Sequence, residues 1–391
     1  EGFSVCVLEK ATFPRFVIGE SLLPRCNDLL DEVGLLEAIK EQEYLVKRGA
    51  MFLRGEERCL FDFSEQHTDG WEYTYQVPRN HFDQVLAEGA IAQGVDIRFG
   101  HSVEEVRVGA NPWVRVTDPD GKSHEITSKW IIDASGYGRV LPRALDLDMP
   151  SHLAERHAVY TWVEGDKREE GRDEGRTWLC MHEGGAWVWI IPFSNGKTSV
   201  GVVGTPEFWK DYPGDPAAKL KAALAAEPNA ASRLADATFC FEPIDHGAYS
   251  VGVSRLWGEG YCLVGNTTEF LDPIFSAGVT LALESAVSAA KVIVRKLRGE
   301  TVDWDKEYVE PLMSGVDVFR AYINGWYDGA LPKIFFSDDP EPIAKSQVCS
   351  VLAGYAWDET NPYVTNPGRQ VPRLLQLIDF RDKARVQTAK L

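Results

Sequence analysis

Three short apolar runs, each delivered into a glycine or an acid, limit what this chain can become. Residues 4–9 (SVCVLE), 131–133 (IID, followed by Ala134, Ser135 and Gly136) and 261–265 (YCLVG) read as buried strands, the first with the look of a parallel one. Helical spacing follows the first run. Residues 27–42 put Leu29, Leu30, Val33 and Leu36 on one face with Gly34 as a break, and residues 80–91 turn Phe82, Val85, Leu86 and Ala90 inward. Residues 278–297 form a longer helix after the third run.

Between these elements the period switches to two. Strands are expected at GAMFLR, RCLFDF and WEYTYQV, then at VDIRF, VEEVRV, WVRVTD and HEITSKWIID with a PDG turn at 119–121, and later at TWLCMH, AWVWIIP and KTSVGVVG. Residues 165–176 (GDKREEGRDEGR) lack apolar anchors and read as a solvated loop. Residues 215–235 are helical in pattern. From Trp304 on the chain is mostly helical, with a start at 339–342 (DPEP) and a break near 361. Strands and helices alternating around a strand-rich middle predict an α/β (α+β) chain: a nucleotide-binding lobe with an inserted sheet and a helical tail.

A chain of 391 residues exceeds one compact core, so two or three lobes are expected. The net charge of −18 repels nucleic acid and anionic membrane, and excludes both as partners. Seven cysteines form no CxxC pair, and eight histidines form no HExxH and no zinc spacing. A reduced, metal-free cytoplasmic protein fits that usage. The longest apolar stretch carries Glu284 and Lys291 and is expected to fall short of a membrane span. No signal peptide is visible, and the chain opens on Glu1 rather than Met.

Five places can carry chemistry. Glu9 ends its strand where a dinucleotide fold keeps a ribose-binding acid, about 20 residues after a glycine-rich turn that would lie before Glu1. On its own it reads first as a surface acid. Asp133–Gly136 lets backbone approach a phosphate-bearing ligand, with a plain strand-to-turn as the equal alternative. Residues 264–279 (VGNTTEFLDPIFSAGV) leave a strand at Gly265 and deliver Pro273, Ser276 and Gly278 to a helix start, whose free N–H groups suit pyrophosphate, flavin oxygens or chloride. Ser276 as a simple cap is the alternative. Trp187, Trp189 and Pro192 (WVWIIP) set two indoles on one face of a strand, where such groups usually fill a core. Lys47 enters a strand among apolar neighbours, where a lysine ordinarily snorkels to the surface.

Taken in order, GESLLP (19–24), Lys47, RNHFD (79–83), IIDASG, WVWIIP and LDPIFSAGV resemble the flavin-dependent halogenases along essentially the whole chain. The tail looks most like natural-product halogenases outside the tryptophan branch, such as the chloramphenicol-pathway and carrier-protein-dependent enzymes. The resemblance implies an FAD-binding, Rossmann-like lobe of the flavin monooxygenase type (1–45, 79–155, 245–300), an antiparallel substrate-side sheet (46–78, 156–244) and a C-terminal helical region (301–391). It implies that reduced FAD and O2 form a flavin hydroperoxide, that chloride or bromide attacks it to give hypohalous acid, and that Lys47 carries the halogen to the substrate. Burial beside Leu45, Val46 and Phe52 would favour the free amine this needs. Trp187, Trp189 and Pro192 would wall the flavin from the substrate. Ala277 and Gly278, beside Ser276, would hold chloride. Glu9, Arg79, Asp133, Gly136, Gly265, Asp272 and Pro273 would contact FAD.

The chain departs from the family in three ways. No glycine-rich FAD turn is present, Gly265-Asn266 stands where Gly-Asp is usual, and Phe275 occupies the place of the glutamate that tryptophan halogenases set before the chloride-site serine. The last departure argues against free tryptophan. The expected activity is a halogenase, more specifically a chlorinase of natural-product (antibiotic) biosynthesis, served by a separate flavin reductase. Its substrate would be an activated carbon on a small molecule or a carrier-protein-bound acyl or aromatic group. A flavin-dependent hydroxylase of the same fold and a non-catalytic flavoprotein remnant are the rival readings.

Overall fold

The structure, a computed structural model, describes residues 2–151, 153–247, 251–337 and 341–388. Its largest sheet runs Thr238–Phe239, His157–Glu164, Lys197–Gly204, Trp187–Pro192, Thr177–Met181, Gly49–Arg54, Glu57–Asp62, with Ile244–His246 also paired on His157–Glu164. Neighbours are antiparallel except Thr177–Met181 beside Gly49–Arg54. The strict alternation of its strands buries both faces. Trp187, Trp189, Tyr160, Trp162 and Phe52 share one core, while Val188, Ile190, Val200 and Val202 meet Phe208, Trp209, Leu220 and Leu224 in the other. Burying each such side chain is worth about 1.5–3 kcal/mol, so neither face can be turned to water cheaply.

Outside this sheet two further pairs of strands are parallel. Cys6–Glu9 pairs with Asp96–Phe99, and Ile131–Asp133 with Tyr261–Leu263. The first run is parallel, as expected, but it is not buried: Val5 and Val7 are 49% and 40% exposed, and Ile132 on the other pair is 47% exposed. Each of these two strands is also hydrogen-bonded on one side only among the described residues.

The first helical segment is two helices, Arg25–Glu32 and Leu36–Lys40, separated at Gly34, whose φ of +71° ends the first. Arg79–Ala92 follows Pro78, and Ala277–Leu297 packs Leu281, Ala289, Val292 and Ile293 into the main core. By length and composition this last helix could cross a membrane, contrary to the expectation that its charges disqualify it. Its inward stripe is occupied by core contacts instead, and Arg25 pairs with Glu284 on its flank. The tail supplies Glu310–Tyr327, Ala330–Phe335, Pro342–Leu352 and Pro367–Thr388. Of the helix start expected at 339–342, residues 339 and 340 lie outside the described residues. The charge run at 165–176 is a loop, exposed at Gly165, Lys167 and 170–172 as expected but anchored at Asp166 and Arg176. Arg176 is buried and donates to Asp62 at 2.6 Å, and Asp166 is held between Arg168 and Arg233. Ion partners elsewhere in the chain anchor the run where apolar residues do not.

Candidate active site

Lys47 closes the short strand Leu45–Lys47, which pairs with Thr74–Gln76. The segment around Glu20–Leu22 bonds to that same partner: Val77 N–H donates to the Glu20 carbonyl at 2.8 Å and Leu22 N–H to the Tyr75 carbonyl at 3.2 Å. This pairing brings the Leu22 carbonyl to Lys47, whose Nζ donates to it at 2.8 Å with the Phe63 ring 5.6 Å away. The side chain is 2% exposed, so the snorkelling alternative fails. Burial disfavours the ammonium and pulls the Lys47 pKa down to about 7.

Trp187 and Trp189 lie on one face of their strand, ring centroids 5.9 Å apart, in the main core. Both indoles fill the core and also present a continuous aromatic wall, joined by Tyr160 at 5.9 Å from Trp189. Trp189 Nε1 donates to Ser199 Oγ at 3.1 Å and Trp187 Nε1 to the Tyr327 hydroxyl at 2.9 Å. Pro192 ends the strand opposite Thr198.

The parallel strands Ile131–Asp133 and Tyr261–Leu263 end side by side, where open α/β sheets bind ligands. Asp133 takes Ser135 N–H at 2.8 Å and Leu141 N–H at 2.7 Å, organising its own loop. Gly136 (φ +55°) donates its N–H to Thr267 Oγ1 at 2.9 Å, and Gly265 (φ +60°) donates to Ser285 Oγ at 2.8 Å, so the two loops are tied together in left-handed conformations that favour glycine. Asp272 caps the turn Pro273–Phe275 through Ile274 N–H at 3.1 Å and accepts from Tyr327 at 2.8 Å. Ser276 then adopts φ +56° and makes no side-chain cap bond. The capping alternative fails because that backbone is not the extended one from which a serine reaches the first turn. The N–H groups of Ala277 and Gly278 therefore open a 21-residue helix without a side-chain cap.

Phe275 faces an aromatic chamber, with Phe52 at 6.5 Å and Tyr322 and Trp326 each at 6.2 Å. A cleft of about 550 Å3 shares Trp326 with this chamber and is lined also by Arg54, Met181, Tyr327, Pro332 and Lys333. Glu9 and Arg79 meet through a charged chain: Arg15 reaches Glu9 at 3.4 Å and Asp83 at 3.0 Å, and Arg79 holds Asp83 at 2.6 Å.

Two residues were not singled out by the sequence reading. Glu20, inside GESLLP, is 1% exposed; one carboxyl oxygen accepts from Trp162 Nε1 at 2.6 Å and the other has no hydrogen-bond partner. Burial outweighs the opposing pull of Ser199, Trp162 and Arg79 and raises its pKa to about 7. An acid followed at once by SLLP, an apolar stretch, was the available signal. Tyr327 had none, since its partners are remote in sequence.

The flavin end of an FAD molecule fits the left-handed glycines at the adjoining strand ends and the helix start that lacks a side-chain cap, where backbone N–H groups suit flavin oxygens. A glycine-rich phosphate turn is not among the described residues.

The tryptophan halogenase family model matches residues 61–329. A flavin-dependent halogenase of Armillaria mellea is 28% identical over 78% of this chain and 65% of its own length. A 1H-pyrrole-2-carbonyl-[peptidyl-carrier protein] chlorinase of Pseudomonas fluorescens is 27% identical over 95% of this chain and 88% of its own. The chain thus spans just under two thirds of the Armillaria relative and most of the bacterial one. Among solved structures, a flavoprotein/dehydrogenase from Cytophaga hutchinsonii is 45% identical, covers 97% of this chain and 94% of its own, and superposes with a TM-score of 0.94.

Proposed function

The chain belongs to the tryptophan halogenase family, and from that premise we propose that it is a flavin-dependent halogenase acting on an electron-rich carbon of a small or carrier-bound substrate. The observation that carries the reading is Lys47, a buried amine whose pKa lies near 7, held against the Leu22 carbonyl with the Phe63 ring 5.6 Å away. When bound, reduced FAD with O2 supplies the oxidising equivalents that turn halide into hypohalous acid. Ala277 and Gly278 N–H groups hold the halide, and the Trp187–Trp189 wall separates that place from the substrate. The free amine of Lys47 attacks the halogen of hypohalous acid; hydroxide leaves and takes the amine proton, giving an N-haloamine and water. Attack by substrate carbon on that halogen regenerates the amine as the carbon loses its proton.

Glu20, buried against Trp162 with its pKa raised to about 7, would be the proton donor or acceptor near neutrality. The cleft beside Trp326 supplies a route for substrate, and the Tyr322 hydroxyl, buried without a hydrogen-bond partner, offers a contact for a carbonyl or heteroatom. The carrier-bound pyrrole substrate of the Pseudomonas relative supports a tethered acyl or aromatic group here. A separate reductase would supply the reduced flavin. Chloride is the favoured halide.

The test is a mass-spectrometric assay with FAD, a flavin reductase, NADH, O2, chloride or bromide, and an electron-rich phenol as trap. A halide-dependent mass shift is expected. Flavin oxidation with peroxide and no halogenated trap would favour the second reading, a flavin oxidoreductase without halogen transfer, for which the likeness to the Cytophaga flavoprotein/dehydrogenase speaks. Because only the free amine reacts, trap halogenation should rise with pH and half-saturate near Lys47's pKa of about 7. A pH–rate profile flat from 6 to about 8 would count against the lysine as carrier.

A further inference from the structure

We infer that Tyr327 is a positioning residue: its hydroxyl locks the tryptophan strand to the loop that leads into the halide-holding amides, so that wall and halide site keep one geometry. This rests on the halogenase reading above. Three segments remote in sequence meet at one oxygen. The hydroxyl accepts from Trp187 Nε1 at 2.9 Å and donates to Asp272 Oδ2 at 2.8 Å. An indole nitrogen only donates and an ionised carboxylate only accepts, so the direction Trp187 to Tyr327 to Asp272 is forced. The bond to the carboxylate is charge-assisted and is the stronger of the two.

What Asp272 does with its other oxygen makes the lock consequential. Oδ1 accepts Ile274 N–H at 3.1 Å and so fixes the turn Pro273–Phe275, which sets Ser276 at φ +56° and aims the start of the helix Ala277–Leu297. A shift of Asp272 is therefore a shift of Ala277 and Gly278. The Arg156 guanidinium carbon lies 3.3 Å from the Tyr327 ring centroid and presses the ring in place. Burial and the neighbouring Asp272 raise the Tyr327 pKa far above neutrality, so the hydroxyl keeps its proton and can always donate. Packing alone would not require that hydroxyl. The adjacent Trp326 makes the ring contacts to Phe52, Phe275 and Phe335.

The test uses the full chain loaded with FAD. Tyr327→Phe deletes one atom and strips one partner from both Trp187 and Asp272. The halide concentration for half-maximal trap halogenation should rise about tenfold, with kcat at saturating halide within about twofold, as expected for a lost buried hydrogen bond to a charged group. Peroxide released per NADH should rise with it. Trp187→Phe leaves the Tyr327–Asp272 bond intact and should shift the halide requirement less, and it should add nothing further in the Tyr327→Phe background. An unchanged halide requirement with a lowered melting temperature would make Tyr327 a packing residue and overturn the inference. If the wild type halogenates no trap, the functional reading fails by itself. The lock is then judged by thermal unfolding of the two single variants and the double: non-additive losses uphold it and additive losses overturn it.

Discussion

Lys47→Ala is expected, with methionine added to consume free hypohalous acid, to lower halogen transfer to the trap by about three orders of magnitude while flavin reoxidation continues and the oxidant appears as peroxide and methionine sulfoxide, because the variant loses the nucleophile and keeps the flavin site. The separation is possible because the Lys47 Nζ bond is to the Leu22 carbonyl rather than to Asp133, Gly136, Gly265 or Asp272. Retained trap halogenation would remove the lysine from the mechanism. A stability measurement gives an independent view of the same group. Folding lowers the Lys47 pKa from 10.5 to about 7, so between those values the unfolded chain holds a proton that the native chain lacks. Its contribution to stability therefore rises with pH across that window and is most unfavourable below about 7. Lys47→Met, similar in length and free of charge, should remove that slope and stabilise the protein by a few kcal/mol near neutral pH, an order-of-magnitude figure for a buried amine. Urea titrations of both proteins at pH 6 and 9 would read it. A variant that is more stable yet inactive is the pattern of a group kept for chemistry rather than for the fold.

The two-residue alternation of WVWIIP and KTSVGVVG was sufficient to place two indoles on one face, and Gly34 marked a helix break, because both follow from local backbone geometry. The exposed faces of Val5 and Val7 were not legible, since an apolar run reports what would suit a strand and not whether a neighbour covers it. The charge run at 165–176 was legible as a loop but its anchors were not: Asp62, Arg233 and the carbonyls that hold Arg176, Asp166 and Arg168 lie tens of residues away. In the candidate site, Lys47, the tryptophans and the loop from Asp272 to Gly278 were singled out by motif. The uncapped, left-handed Ser276 and the convergence of Trp187, Tyr327 and Asp272 required three dimensions, because no spacing rule links a strand, a loop and the end of a helix.

Gly201→Val should be the most disruptive single substitution on the aromatic wall. Gly201 stands directly opposite Trp189 in the sheet, and the Trp189 indole lies across it: a Cβ at position 201 would fall 2.3 Å from two of the ring carbons. The backbone there is ordinary strand, which valine prefers, so the whole penalty is steric. Either the indole stays and the strand separates, or it swings away and gives up its bond to Ser199 and its contacts with Trp187 and Tyr160. Overpacking of this kind costs about 1–3 kcal/mol, and loss of the buried indole bond adds about 1 kcal/mol more. Thermal unfolding should show a drop of several degrees. If the wall also keeps the oxidant from direct reaction at the flavin side, the fraction of oxygenated trap and peroxide should rise in whatever protein remains folded. Trp189→Ala introduced into Gly201→Val removes the colliding ring, so the double variant should regain stability relative to Gly201→Val while keeping the altered product ratio. That sign reversal separates the two roles of the indole. Its volume sets the stability, and its presence sets the partition of oxidant. A Gly201→Val protein that melts with the wild type would mean the indole does not lie over Gly201, and the wall would have to be redrawn.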